Sequence, residues 1–277
     1  MRGAYKAIAE RLGGVPAHVR EAIDTRVGEA DVRVYRPDPE ADGPAGIIVY
    51  VHGGGWRLGD LDDFDRIGRA LCAASGHHVV SVGYRLAPEH PFPAARDDVL
   101  GVVDWATDAG ASSYGWDPGR VVLCGDSAGA QLAAVAARHR RGPALRAQML
   151  AYPALDATLS ADSYKRLDGS PMLTAQVMRD CWADYAGGHD PTDPDLSPGL
   201  AEDLGGLPPT LIVVASHDVL RDDGTRYAER LRAAGIDVVV RDVDGHPHGF
   251  LRWAGAVDAA GETLAAMGQY AAAALGR

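Results

Sequence analysis

Near-continuous apolar runs alternate with alanine-rich stretches of helical period, and this alternation constrains the chain more than any other feature. The runs DVRVYRP (31–37), GIIVYVH (46–52), HHVVSVGYR (77–85), RVVLCGD (120–126), AQMLAYP (147–153), TLIVVAS (210–216) and DVVVRDV (237–243) read as strands. Most lack the in/out alternation of a half-exposed sheet, as strands buried on both faces should. Helices are expected over 62–75, 94–109, 128–141, 222–234 and 256–274. Strand and helix in turn predict an α/β fold: a central, mostly parallel sheet with helices on both faces. The interval 156–206 breaks the rhythm. It holds one helical stretch, TAQVMRDCWADYAGG, and the Pro/Asp-rich HDPTDPDLSPGL. A segment of that length between two core strands predicts an inserted cap rather than a loose loop. The expected organisation is a single domain over 1–277, with a core of about 26–154 and 207–277 and a small cap from about 1–24 and 155–206.

Composition sets limits on function. The chain has 277 residues, 47% of them hydrophobic, enough for one large core. Its net charge of −11, from 38 acidic and 27 basic residues, argues against a nucleic-acid partner, which needs clustered Lys and Arg. The opening MRGAYKAIAERLGG is mixed in charge and helical in pattern, unlike a secretory leader, and no window reaches the roughly 18 apolar residues of a membrane span. Three well-separated cysteines, Cys72, Cys124 and Cys181, fit a reducing compartment. A soluble, cytoplasmic protein is therefore expected.

GDSAG (125–129) directly follows the strand VVLC and opens an alanine-rich helix. A serine on so sharp a turn needs small neighbours two residues away on each side, and Gly125 and Gly129 supply them. This context marks Ser127 as a nucleophile rather than part of an ordinary Gly/Ser turn into a helix. Serine needs a base within reach and a third group to orient the base. In chain order after Ser127 come Asp218, just beyond the strand TLIVVAS, and then His246 and His248 in DVDGHPHGF. Asp222 and Asp223 compete with Asp218, but they fall in the first turn of the next helix, where acidic residues normally serve the helix dipole. Spacing does not separate His246 from His248.

The glycines of HGGGW (52–56) follow a buried strand. Bare backbone there suits an oxyanion hole, in which N–H groups face the charge that develops in acyl transfer. Gly53 and Gly54 are the expected loop donors, with Ala128 as the residue after the nucleophile. A dinucleotide fingerprint would need glycine where Leu58 stands, and no Gly-Lys-Ser/Thr phosphate loop occurs. His52 reads as a loop brace. HPH and His77–His78 lack the supporting ligands of a metal site.

The motifs HGGGW, YRLAPEHPFPAARDD (84–98), GDSAG, DVLRDDG (218–224) and HGF (248–250) together resemble those of bacterial hormone-sensitive-lipase-type esterases (family IV), which are α/β-hydrolases. The resemblance covers about Tyr50 to Phe250. It implies a serine carboxylesterase acting on short-acyl, small-molecule esters, with no metal or organic cofactor, using Ser127, Asp218 and His248 and an oxyanion hole of Gly53, Gly54 and Ala128. It favours His248 over His246. GDSAG rather than GTSAG points to a subgroup whose members are often dimeric, so a homodimer is expected. An amide or formamide hydrolase on the same triad is the alternative substrate reading, and a receptor on a dead hydrolase scaffold is the alternative class. Members commonly have a longer segment ahead of HGGG, and Val219 stands where proline is frequent. In the long motif, Arg85 and Glu89 are expected to pair and brace the floor of the site.

Overall fold

The computed structural model describes residues 11–38 and 45–276. Most of the helix expected over 1–14 lies outside them. The strands β1 (Glu21–Val27), β2 (Ala30–Arg36), β3 (Ile47–Val51), β4 (His78–Gly83), β5 (Val121–Asp126), β6 (Leu145–Ala151), β7 (Thr210–His217) and β8 (Val238–Pro247) form one eight-stranded sheet in the order β1-β2-β4-β3-β5-β6-β7-β8. β2 pairs antiparallel with both β1 and β4, and every pairing from β4 to β8 is parallel. All seven expected strands are present. β1 is additional: it extends the sheet back to Glu21, so residues 21–24, expected in the cap, belong to the core sheet.

β3 shows why the central strands read as unbroken apolar runs. All five of its residues are buried, and they alternate between two cores. Ile47, Val49 and Val51 face one and Ile48 and Tyr50 the other. Helices α1 (Asp65–Ser75) and α8 (Asp258–Leu275) pack together on the Tyr50 face. The opposite face carries α2 (Ala94–Ala106) and α4 (Ala128–His139), with the short α3 (Ala109–Tyr114) between them in sequence and α7 (Arg221–Ala233) against β7. No helix among the described residues is long and apolar enough to cross a membrane.

The interval 156–206 contains no strand. It holds the short helix α5 (Ser163–Arg166), α6 (Ala175–Ala186) and a 3₁₀ turn at Pro198–Leu200. Local chemistry sets the limits of α6. Thr174 Oγ1 accepts the Val177 N–H at its start, and Gly187, at φ 58°, takes the left-handed conformation that ends it. The interval is tied to the core by charge. Asp195 receives Arg96 of α2 at 2.9 Å, Arg138 of α4 at 3.1 Å and His139 at 2.8 Å.

Two side chains make contacts that the sequence alone does not give. Arg85 pairs with Asp98. The Asp98 carboxylate, 3% exposed, accepts Arg85 Nη2 at 2.7 Å and the Arg85 backbone N–H at 2.9 Å. Asp98 lies little more than one helical turn into α2 from the proline-rich turn, so the pair fixes that turn against its own helix. Asp223, expected to decorate the first turn of α7, is buried and accepts the Leu155 N–H at 3.1 Å and the Tyr164 hydroxyl at 3.2 Å. Burial pushes its carboxyl well above the usual range. Asp223 therefore joins α7 to the segment that follows β6.

Removing Arg85 takes a charged donor from a buried carboxylate, while the guanidinium itself is partly exposed. Arg85→Ala should lower stability by about 1–2 kcal/mol, read as a shift of the urea midpoint with unchanged slope. A midpoint equal to that of the unaltered protein would show that Asp98 does not depend on Arg85.

Candidate active site

The strands β3, β5, β7 and β8 deliver their next residues to one edge of the sheet: His52 after β3, Ser127 after β5, Asp218 after β7 and His248 after β8. In an open parallel sheet this carboxyl edge is where separate crossovers leave room for a site. Ser127 has φ 54° and ψ −119°, a conformation that non-glycine residues rarely adopt, and its N–H is held by Ala151 O at 2.8 Å. Gly125 and Gly129 are required because the backbone crosses itself here. A Cβ on Gly125 would strike Gly129 O, and one on Gly129 would strike Val51 O and His52 O.

Ser127 Oγ lies 2.9 Å from His248 Nε2, and His248 Nδ1 lies 2.7 Å from Asp218 Oδ2. The carboxylate can only accept, so the imidazole carries its proton on Nδ1 and presents Nε2 as acceptor to the serine. Asp218 is fully buried, and its other oxygen accepts the Leu220 N–H at 2.9 Å. The ring of Tyr152 meets the imidazole edge to face at 4.8 Å. His246 does not join this line: its Nδ1 bonds Asp244 O at 2.6 Å. Ser127 and His248 open on a cavity of about 250 Å³, walled by Leu58, Trp253 and the Met178 and Cys181 side chains of α6. A larger hollow of about 300 Å³ beside Asp223 contains neither Ser127 nor His248.

The glycine loop differs from expectation in one respect, and peptide geometry gives the reason. The C=O and N–H of a trans peptide point in opposite directions. His52 O accepts the Tyr84 hydroxyl at 2.9 Å, so the Gly53 N–H turns the other way, where it donates to Asp126 Oδ1 at 2.8 Å. Gly53 is thus not a free donor. A Cβ there would lie 2.5 Å from Asp126 Oδ2, which accounts for the glycine. In the next peptide, Gly53 O is held by His52 Nδ1 at 2.7 Å, which turns the Gly54 N–H toward the opposite side. In the one after, Gly54 O accepts the Arg57 and Leu58 N–H groups at 3.2 and 3.0 Å, which leaves the Gly55 N–H facing away from them. Gly54 and Gly55 line the cavity with Ser127.

A family model described as alpha/beta hydrolase fold matches residues 48–252. The chain is 41% identical over 268 residues to the carboxylic ester hydrolase LipN of Mycobacterium tuberculosis, covering 90% of this chain and 69% of that protein. It is 44% identical over 239 residues to the carboxylesterase NlhH of the same species, covering 83% of this chain and 74% of that one. Among solved structures, the thermostable carboxylesterase EstE1 from a metagenomic library superposes with a TM-score of 0.92 at 33% identity, over 100% of this chain and 97% of that one. The chain belongs to the α/β-hydrolase family. Within it, these relatives place the chain with the hormone-sensitive-lipase-type esterases that its motifs resemble.

One residue of this α/β-hydrolase site was not singled out in the sequence. Asp126, next to Ser127, is 3% exposed and receives Tyr50 Oη at 2.7 Å besides Gly53. Burial raises its carboxyl pKa, while those two hydrogen bonds and the nearby Arg252 charge act in the other direction. The available signal was Tyr50 itself, a hydroxyl inside an apolar strand that must find a partner. His52 braces the loop as expected. Its ring is stacked between Tyr84 at 4.4 Å and Phe64 at 4.9 Å, fully buried, and burial pushes it from 6.5 down to about 4.

The pH dependence of stability follows from His52. Above pH 6.5 both folded and unfolded chains hold it neutral, and its contribution is fully present. Between pH 6.5 and about 4 only the unfolded chain takes the proton, so stability should fall by on the order of 3 kcal/mol across that window. Urea unfolding at pH 7.5 and 4.5 should show this loss in the unaltered protein and a smaller one in His52→Gln. Equal losses in the two proteins would rule His52 out as its source.

Proposed function

We propose that this α/β-hydrolase cleaves small-molecule carboxylic esters of short acyl chain through an acyl-enzyme. The observation that carries the reading is the continuous hydrogen-bonded line Asp218–His248–Ser127, ending on an apolar cavity beside bare glycine backbone. Relatives named as carboxylic ester hydrolase and carboxylesterase agree with it.

In the proposed reaction Ser127 Oγ attacks the ester carbonyl as His248 Nε2 takes its proton, and Asp218 stabilises the imidazolium that forms. The charge on the former carbonyl oxygen is met by the N–H groups of Gly54, Gly55 and Ala128, the first two taking the place first assigned to Gly53 and Gly54. Ala128 begins α4, whose amide ends also favour an anion. His248 returns its proton to the departing alkoxide, and an alcohol leaves. Water then repeats the sequence on the acyl-serine and releases the carboxylic acid. His248 carries each proton of the scheme, which calls on no metal or organic cofactor.

Residues 155–206 act as a cap that bounds the acyl site, since Met178 and Cys181 of α6 form one wall of the cavity. The Ser127–His248 contact favours an enzyme over a dead scaffold. We also propose a cytoplasmic location, supported by three buried, unpaired cysteines, and a homodimer, supported by the GDSAG subgroup motif.

A p-nitrophenyl ester series from acetate to decanoate tests mechanism and depth together. Acetate and butyrate should turn over faster than decanoate, given a cavity of about 250 Å³. Ser127→Ala should lower kcat by about 10⁶-fold. Near-normal turnover by Ser127→Ala, or ester hydrolysis no better than that of the Ser127→Ala protein, would refute the reading.

A further inference from the structure

A buried glutamine one helical turn beyond the nucleophile has no place in the triad or among the oxyanion donors. Gln131 lies on α4 and is fully buried. Its Oε1 accepts the Trp56 indole N–H at 3.1 Å, and its Nε2 donates to Asp195 O at 2.9 Å and Leu196 O at 3.1 Å. An indole nitrogen can only donate and a carbonyl can only accept, so the partners themselves fix which end of the amide is oxygen. With three of its four hydrogen-bonding positions used and no exposure, the amide cannot turn without stranding a buried polar group.

Its side chain and backbone together touch three separate parts of the site. Trp56 immediately follows Gly55 in the glycine loop. Its φ of 58° is unusual for a bulky residue, so the surroundings must hold it there. Its ring lies flat on Tyr185 of the cap helix α6 at 4.6 Å, and its carbonyl accepts the Ala87 N–H at 2.8 Å. The backbone N–H of Gln131 bonds Ser127 O at 3.2 Å, so its Cα is set by the same turn that aims Ser127 and Ala128. Asp195 and Leu196 lie in the cap. At one end the glycine loop is anchored to the nucleophile turn through Gly53 and Asp126; at the other, its link to the nucleophile helix is the Trp56–Gln131 hydrogen bond.

We propose that Gln131 is a positioning residue for the oxyanion hole: through Trp56 it fixes the distance between the loop donors Gly54 and Gly55 and the helix donor Ala128, and it locks that distance to the closed cap. The inference rests on the hydrolase reading given above and assigns one of its geometric constraints to a side chain that touches no substrate. Oxyanion donors act only when they are already aimed at the transition state, and a displacement of about 1 Å can cost about 100-fold. The ground-state ester does not depend on that alignment. Loss of the bond should therefore appear in kcat and not in KM.

The test uses Gln131→Met, which keeps length and volume without hydrogen bonds, and Trp56→Phe, which keeps an aromatic ring against Tyr185 while removing the indole donor together with part of the ring volume. For p-nitrophenyl acetate, each variant, folded by circular dichroism, should lose about 10- to 100-fold in kcat with KM within about twofold of the unaltered protein. The double variant should be no slower than the slower single one, since both changes break the same bond. If Gln131→Met does not fold, Trp56→Phe alone decides, because it leaves the bonds from Gln131 to the cap in place. Folded variants with unchanged kcat, a loss confined to KM, or multiplicative losses in the double variant would overturn the assignment while Ser127→Ala still upholds the hydrolase. Absence of ester turnover in the unaltered protein would overturn both.

Discussion

The hydrogen bond from the Gly53 N–H to the Asp126 carboxylate joins the two loops on which the site depends. β3 and β5 are parallel neighbours, with Val51 opposite Gly125, so their following residues emerge side by side. Adjacent emergence does not by itself orient a peptide. Asp126 does so, since its Oδ1 takes both the Gly53 N–H and the Tyr50 hydroxyl from the first strand while its own backbone leads into Ser127. Because peptides are planar, fixing one N–H also fixes the carbonyl before it. His52 and the Arg57 and Leu58 amides then hold the next two carbonyls in turn. The cost is a buried acidic group. It is tolerated because its oxygens are hydrogen-bonded and because the nearby Arg252 contributes opposing charge.

The sheet and the interval 155–206 are held by different means. The sheet is held by backbone ladders and by apolar side chains that alternate across β3 into two packed layers. The interval has no strand to add to that sheet. Side chains supply many of its ties: Asp195 to Arg96, Arg138 and His139, Asp223 to Leu155 and Tyr164, and Arg57 to Asp184 at 2.9 Å, with a backbone bond from the Phe92 N–H to Tyr185 O at 2.7 Å beside them. The Cys181 sulfur would lie 2.7 Å from a Cβ on Gly55, so α6 bears directly on the glycine loop.

Where the sequence spoke clearly, burial was the reason. The interior strands are apolar because both faces are covered, and the turn at Ser127 is legible because only glycine fits where backbone meets backbone. β1 was missed for the converse reason. In EAIDTRV every residue is exposed or half-exposed, on the outer edge of the sheet, so neither a continuous apolar run nor a deeply buried face marks it. The side-chain partners were harder still. Arg85 pairs with Asp98, 13 positions away, which the turn of the chain brings beneath it. Asp223 looked like dipole compensation because a position in the first turn of a helix says nothing about which way that turn faces.

Gly53 shows where reading from composition stops. Three adjacent glycines are equivalent as a string, and a motif can say that bare amides are needed without saying which ones face the substrate. Within each trans peptide the N–H points opposite to the carbonyl, so the acceptor or donor that holds each peptide decides which side its N–H faces. For the first peptide that acceptor is Asp126, which lies in another motif of the same chain, and for the next two the holders are His52 and the Arg57 and Leu58 amides. The two motifs GDSAG and HGGGW therefore meet in one geometric object, and the acidic residue inside the first takes up the first glycine N–H of the second.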